Sequence, residues 1–273
     1  MATVPPATRI LFCGDLVGSA GRRALLATLP VLRERHDPAF VVVNAENVAG
    51  GFGITPAIAD ELFAAGVDVI TLGNHAYRRR EIYPYLDAHE RILRPANYLR
   101  SQPGHGHVVV SARGVRLAVV NLSGNVFMAA GRSAFAEADA LVDRLAGEAD
   151  HILVDMHAEA TSEKVALGWH LDGRVTAVVG THTHVPTADA RVLPGGTAYI
   201  TDAGMTGARA AVLGVKRRLA VEALVTQMPV RFEPADEDPW LMGVLVTTAA
   251  TPRRAQAIEQ LLMPAAEGPG APS

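Results

Sequence analysis

The chain has 273 residues, 49% of them hydrophobic and 19% charged, with a formal net charge of −3. That suffices for one large or two small domains with a real core, and no run of about 18 apolar residues suggests a membrane span. The slightly acidic balance argues against a stable complex with long nucleic acid, and the N-terminal stretch lacks the basic and apolar regions of a signal peptide, so a cytoplasmic protein is expected.

Short β-branched runs at residues 9–14 (RILFCG), 39–45 (AFVVVNA) and 67–74 (VDVITLGN) predict strands, with helices expected over residues 23–35 and 56–65. The second helix carries a start signal, Thr55 as N-cap and Pro56 at the first helical position. Residues 106–124 predict an antiparallel hairpin that turns at ARGV. Strand-like runs return at residues 151–157, 175–184 and 197–205, and a helix is expected at 162–171 with Thr161 as its N-cap. Continuous apolar strands alternating with helices indicate the α/β layered class. No composition break marks a boundary, so residues 1–262 are expected to form a single domain and the Pro-, Gly- and Ala-rich residues 263–273 a disordered tail. Cys13, the single cysteine, is expected to be a buried structural thiol.

Residues that bind metals or move protons follow the predicted strands. Asp15 follows the first, Glu46 and Asn47 the second, Asn74 and His75 the third, and His157, His182 and His184 end the later ones. Ligands of open α/β sheets bind outside the carboxyl ends of the strands, so this recurrence predicts convergence at one edge. Histidines 36, 89, 105, 107, 151 and 170 share no such placement and are expected to be structural or surface residues, with His105 and His107 in loops. Carboxylate, imidazole and amide groups without cysteine favour Fe or Mn, with Zn as an alternative, over an all-oxygen Mg or Ca site. The set is too large for one tetrahedral ion and would serve two ions roughly 3.5–4 Å apart, an arrangement suited to phosphoester hydrolysis. On a strand, His182 and His184 would share one face about 6.5–7 Å apart, with Thr183 on the other. Two alternatives remain open: on spacing alone, a one-metal amidohydrolase built on the HxH pair, and, from the composition of residues 76–78, a non-catalytic metal-binding regulatory protein.

The segments GDLVGSAGR, VVNAENVAGGFGIT, TLGNHAYRRREI and DMHAEATSEKVALGWHLDGRVTAVVGTHTHVPTAD resemble the YmdB-type bacterial metallophosphoesterases, a branch of the calcineurin-like superfamily. The resemblance implies a calcineurin-like four-layer αββα sandwich with two mixed β-sheets, and a dimetal phosphodiesterase acting on small phosphodiesters, notably 2′,3′-cyclic nucleotides. It makes Asp15, Glu46, Asn47 and His184 ligands of one metal, and Glu46, Asn74, His157 and His182 ligands of the other. His75 becomes the general acid, substrate-binding residues stay unassigned, and a homo-oligomer is compatible. The chain departs from the branch at Gly50, Ala76, Tyr77 and Arg78, where Arg78 is expected to favour a more anionic substrate.

Overall fold

The protein is described by a computed structural model covering residues 7–265. In chain order the first half forms β1 (Arg9–Cys13), β2 (Asp15–Leu16), α1 (Gly18–His36), β3 (Phe40–Asn44), α2 (Pro56–Ala64), β4 (Val69–Thr71), α3 (Ile82–Ala88) and β5 (Ile92–Leu93). Next come β6 (His107–Ala112), β7 (Val115–Ser123), α4 (Ala134–Leu145), β8 (His151–His157), α5 (Thr161–His170), β9 (Ala177–Thr181), β10 (Arg191–Val192) and β11 (Ala198–Ile200). The chain closes with β12 (Met205–Ala208), β13 (Ala211–Val212), β14 (Val215–Lys216), α6 (Arg217–Thr226), β15 (Pro239–Thr248) and β16 (Ala255–Pro264).

One sheet runs β2-β12-β15-β1-β3-β4-β5, with β16 paired outside this path to β15; the other runs β10-β11-β9-β8-β7-β6. Both are mixed: β1 pairs parallel with β3 but antiparallel with β15, and β7 pairs parallel with β8 but antiparallel with β6. Strand alternation creates the layers. Leu11, Cys13, Val41 and Val43 face Leu25, Leu29 and Leu62 of the first helices. Their neighbours Ile10, Phe12, Phe40 and Val42 meet Leu117, Val119, Leu153 and Val179 of the second sheet. The far face of that sheet, Val120, Ile152 and Val154, packs on Leu141, Leu145 and Leu167 of α4 and α5. Period-two side chains that are apolar on both faces thus produce the expected four-layer αββα sandwich. Apart from the two-stranded β13–β14 ribbon, the strands among the described residues form two open sheets, which removes the barrel scaffold required by the amidohydrolase alternative.

Local signals account for several boundaries. Thr55 Oγ1 accepts from Ile58 N at 3.3 Å and Pro56 opens α2 as expected. The β6–β7 hairpin turns at Arg113 and Gly114, both left-handed at φ 53° and 78°, the pattern of a two-residue type I′ turn. Four expectations are corrected. Ala160, not Thr161, is the N-cap of α5, and Thr161 is already helical. His107 begins β6 rather than lying in a loop. The run at 197–205 is not one strand: β11 belongs to the second sheet and β12 to the first, with residues 201–204 crossing between them. Pro264 ends β16, so regular structure passes the boundary expected after residue 262; residues 266–273 of the expected tail lie outside those described. Among the described residues, no helix is long and apolar enough to cross a membrane.

Candidate metal centre

The residues expected to converge do so. Asp15 starts β2, Glu46 and Asn47 follow β3, Asn74 and His75 follow β4, His157 ends β8, and His182 and His184 follow β9. At the centre, His157 Nε2 lies 3.0 Å from Asn74 Oδ1, 3.1 Å from His182 Nδ1 and 3.3 Å from Glu46 Oε2. Beside this group, Asn47 Nδ2 donates to Glu46 Oε1 at 2.9 Å and stands 3.3 Å from His184 Nε2. Carboxylates also fix the backbone: His75 N–H donates to Glu46 Oε2 and His182 N–H to Asp15 Oδ2, each at 3.0 Å. Gly73 permits the packing, because a Cβ there would overlap both the His157 ring and Glu46 Oε2.

The strand explanation for the HxH pair is overturned. β9 stops at Thr181, and His182 and His184 have φ of 91° and 64°, so a left-handed turn aims their rings. Thr183 does turn away, for a different reason than strand alternation. Its N–H donates to Asp202 Oδ2 at 3.1 Å, and its hydroxyl accepts from Lys164 Nζ at 2.9 Å. Lys164 and Asp202 form a wholly buried ion pair at 3.0 Å. That pair anchors the loop whose other side chains form the centre.

Each of these histidines is held from its outer nitrogen, a feature that sequence reading missed. Thr181 Oγ1 donates its one proton to Asp155 Oδ1 at 2.7 Å, so it accepts from His157 Nδ1–H at 2.9 Å. His182 Nε2 lies 3.0 Å from Glu159 Oε2, and His184 Nδ1 lies 3.2 Å from Leu213 O. When such a ring is neutral with its proton on the outer nitrogen, the remaining nitrogen carries a lone pair toward the centre, the usual support of a metal-binding imidazole. The DMHAE segment held part of the signal: Asp155 and Glu159 stand two residues either side of His157.

The electrostatics call for a cation. Asp15 and Glu46 are completely buried, and their ion-pair partners among the described residues are imidazoles alone. Burial raises the Asp15 carboxyl, opposed by His184 and His157, and Asp15 Oδ1 has no hydrogen-bond partner. Burial works against charge on Glu46 and His157 as well. Their mutual attraction wins, holding Glu46 well below the usual carboxylate range and raising His157 to about 9. Burial, then the nearby His157, depress His182 to about 4. An orphaned buried carboxylate oxygen beside converging oxygen and imidazole donors fits a divalent cation. Glu46, His157 and His182 each offer a donor atom within 4.8 Å of the others.

His75 sits at the edge of this group. Its Nδ1 lies 2.7 Å from Asn47 Oδ1 and 3.1 Å from Glu46 Oε1, and Asn74 Nδ2 is 3.3 Å from its Nε2. Phe52 meets the ring edge-on at 5.1 Å between centroids. The neighbouring departures are mostly structural. Ala76 is core, and Tyr77 donates its hydroxyl to Pro103 O at 2.7 Å. Arg78 is exposed, whereas Arg79 ties down the opposing loop through Ala49 O at 2.7 Å and Phe52 O at 3.3 Å.

Residues 11–261 match the family model described as YmdB-like protein. The chain is 45% identical to the 2′,3′-cyclic-nucleotide 2′-phosphodiesterase of Bacillus subtilis over 93% of this chain and 97% of that protein. A hypothetical protein from Thermus thermophilus has a crystal structure similar to this one, with a TM-score of 0.88 and 38% identity, covering 94% of this chain and all of that one. The structure of a phosphatase from Mycoplasma pneumoniae superposes with a TM-score of 0.88 at 30% identity, covering 94% of each chain.

Proposed function

The chain belongs to the YmdB-like family, and from that premise we propose that it is a metal-dependent phosphoric diester hydrolase whose substrates are 2′,3′-cyclic nucleotides. In this reading Asp15, Glu46, Asn47 and His184 would hold one metal ion, and Glu46, Asn74, His157 and His182 would hold the second. Fe or Mn suits this mixed oxygen and imidazole set, with Zn as the alternative. Bound there, such ions supply Lewis acidity toward a phosphoryl group and lower the pKa of coordinated water. The supporting observation is the meeting of Glu46 Oε2, Asn74 Oδ1 and His182 Nδ1 on His157 Nε2 within 3.0–3.3 Å.

The protein's own groups divide the remaining work. Asn47 Oδ1 and Glu46 Oε1 occupy His75 Nδ1, and Nε2, which Asn74 Nδ2 faces at 3.3 Å, is the nitrogen that this reading assigns to proton delivery. Water adds to phosphorus, the bond from phosphorus to O2′ breaks, and His75 Nε2 protonates the departing O2′. The product is a nucleoside 3′-phosphate, and the proton released by water restores the balance. A positioned general acid of this type contributes about 10²–10⁴ in rate.

The test is metal quantification on anaerobically purified protein, followed by a panel of 2′,3′-cyclic, 3′,5′-cyclic and linear dinucleotides. His75→Ala is expected to keep its metal and lose about 10²–10⁴ in kcat. Full activity in that variant ends the assigned role. No turnover of any diester by correctly metallated wild type favours the regulatory alternative.

A further inference from the structure

A cavity of about 170 Å³ opens directly from the metal centre, its floor formed by Asn47, His75, His182 and His184. Its walls are apolar: Phe52, Leu213, Val215, Phe232 and Pro234. Three of these large side chains stand half in solvent, Phe52 at 49%, Leu213 at 52% and Phe232 at 48% exposure. We propose that this cavity is the nucleobase subsite, with Phe232 and Phe52 as the aromatic surfaces that receive the base. The inference rests on the proposed function and names the part of the substrate that lies beyond the phosphate.

The walls are built in advance. Leu213 and Gly214 form the turn between β13 and β14 at φ of 50° and 87°. A Cβ at Gly214 would stand 2.6 Å from Val17 Cγ1, so the turn approaches the centre more closely than another residue allows. The left-handed Leu213 presents its side chain to the cavity and its carbonyl to His184 Nδ1. A non-glycine residue in this conformation is uncommon outside constrained sites.

The Phe232 segment is fastened to the same hairpin. Lys216 N–H donates to Glu233 O at 2.9 Å, Ala235 N–H to Gly214 O at 2.8 Å, and Lys216 Nζ pairs with Glu233 Oε2 at 2.6 Å. On the other side, Arg79 holds the loop that carries Phe52. Two separately braced loops therefore set aromatic rings above the candidate general acid.

The occupant follows from shape and chemistry. A five-membered 2′,3′-cyclic phosphate attaches to a ribose whose base projects one sugar away, so a phosphate over His75 delivers the base to a neighbouring pocket. The cavity is too small for a peptide segment and too apolar for a second phosphate. Its one wall carboxylate, Glu233, is already paired with Lys216. Stacking without edge-specific hydrogen bonds tolerates every base, because each has a π-face.

Phe232→Ala and Phe232→Leu test the proposal with two diesters: adenosine 2′,3′-cyclic phosphate and glycerol 1,2-cyclic phosphate, which has the same five-membered ring but no base. The ratio of kcat/KM for the nucleotide to that for the base-free diester is expected to fall on the order of 10-fold in both variants, chiefly through KM. Phe232→Tyr should restore it. An unchanged ratio, or equal loss on both diesters, overturns the subsite. If the wild type hydrolyses neither diester, the proposed function fails, and calorimetric binding of adenosine 3′-monophosphate then decides the subsite separately. Binding that weakens in Phe232→Leu upholds it; equal or undetectable binding overturns it.

Discussion

Thr181→Val tests whether the centre depends on the groups behind its histidines. The substitution keeps side-chain shape and replaces one hydroxyl by a methyl. That hydroxyl is buried, accepts from His157 Nδ1 at 2.9 Å and donates to Asp155 Oδ1 at 2.7 Å. Its loss leaves His157 without an acceptor for Nδ1–H and one carboxylate oxygen of Asp155 without a donor. Each buried orphan costs about 1–3 kcal/mol, so the metal-free protein should melt earlier. The sharper consequence concerns the metal. With no acceptor at Nδ1, the His157 proton can move to Nε2, the nitrogen facing Glu46, Asn74 and His182. Loss of such a supporting group typically weakens metal binding or activity about 10–100-fold. Chelator-stripped protein titrated with Mn against a competing fluorescent chelator measures the affinity, and Thr181→Ser should restore it by returning the hydroxyl. Wild-type affinity in the valine variant, with only stability reduced, refutes the orienting role and leaves Thr181 as packing.

Glu159→Ala removes the acceptor on His182 Nε2; because Glu159 is half exposed, about 10-fold weaker metal binding is expected, at the low end for such groups, with Glu159→Gln intermediate in the same titration. Cys13 is completely buried and its thiol is pushed up from 9.0 to about 12 by that burial. It should resist Ellman's reagent in the native protein and react at once in guanidinium, and rapid native reaction would contradict the packing of β1. Above pH 9 the unfolded chain releases this proton while the folded one keeps it, so the stability difference between wild type and Cys13→Ala should shift against wild type between pH 9 and about 12. Denaturant melts over that range check the sign.

The parallel strands and the convergence of their ends were legible because both depend on local pattern. Buried strands read as continuous apolar runs, and β3 and β8 are buried at every position. Polar residues directly after such runs stand out. What stayed hidden depends on distant partners. β15 sits between β12 and β1 in the middle of the first sheet, yet its end, Thr247 and Thr248, carries no metal-binding or proton-moving residue to mark it. Residues 201–204 pass from one sheet to the other through Asp202, which accepts from Lys164, Thr183 and Gly204. No periodicity reports that crossing. The HxH pair was found for an incomplete reason: spacing on a strand would place both rings on one face, but the observed turn places them by left-handed backbone and a buried ion pair.

In the proposed function, the division of donors between the sheets would give the centre a structural role as well as a chemical one. Asp15, Glu46, Asn47 and Asn74 come from the first sheet and are oxygen-bearing side chains, although Asn47 turns its Nδ2 to His184 and its Oδ1 to His75; the imidazoles His157, His182 and His184 come from the second. Beneath them the same junction is closed by hydrogen bonds, for Asn44 and Thr71 of the first sheet both donate to Asp155 of the second. A cation held by both sets would therefore bind across the interface between sheets: separating the sheets would dissolve the site, and loading the site would oppose their separation. Occupancy at 100 times the dissociation constant corresponds to about 2.7 kcal/mol of added stability, a large share of what a domain of this kind possesses. The buried Asp15 Oδ1, which lacks a hydrogen-bond partner, is an oxygen that such a cation would satisfy. Hydrophobic packing from Phe12, Phe40, Leu153 and Val179 holds the same two sheets together beneath the centre, so a cation bound there would add to a junction that side-chain packing already closes.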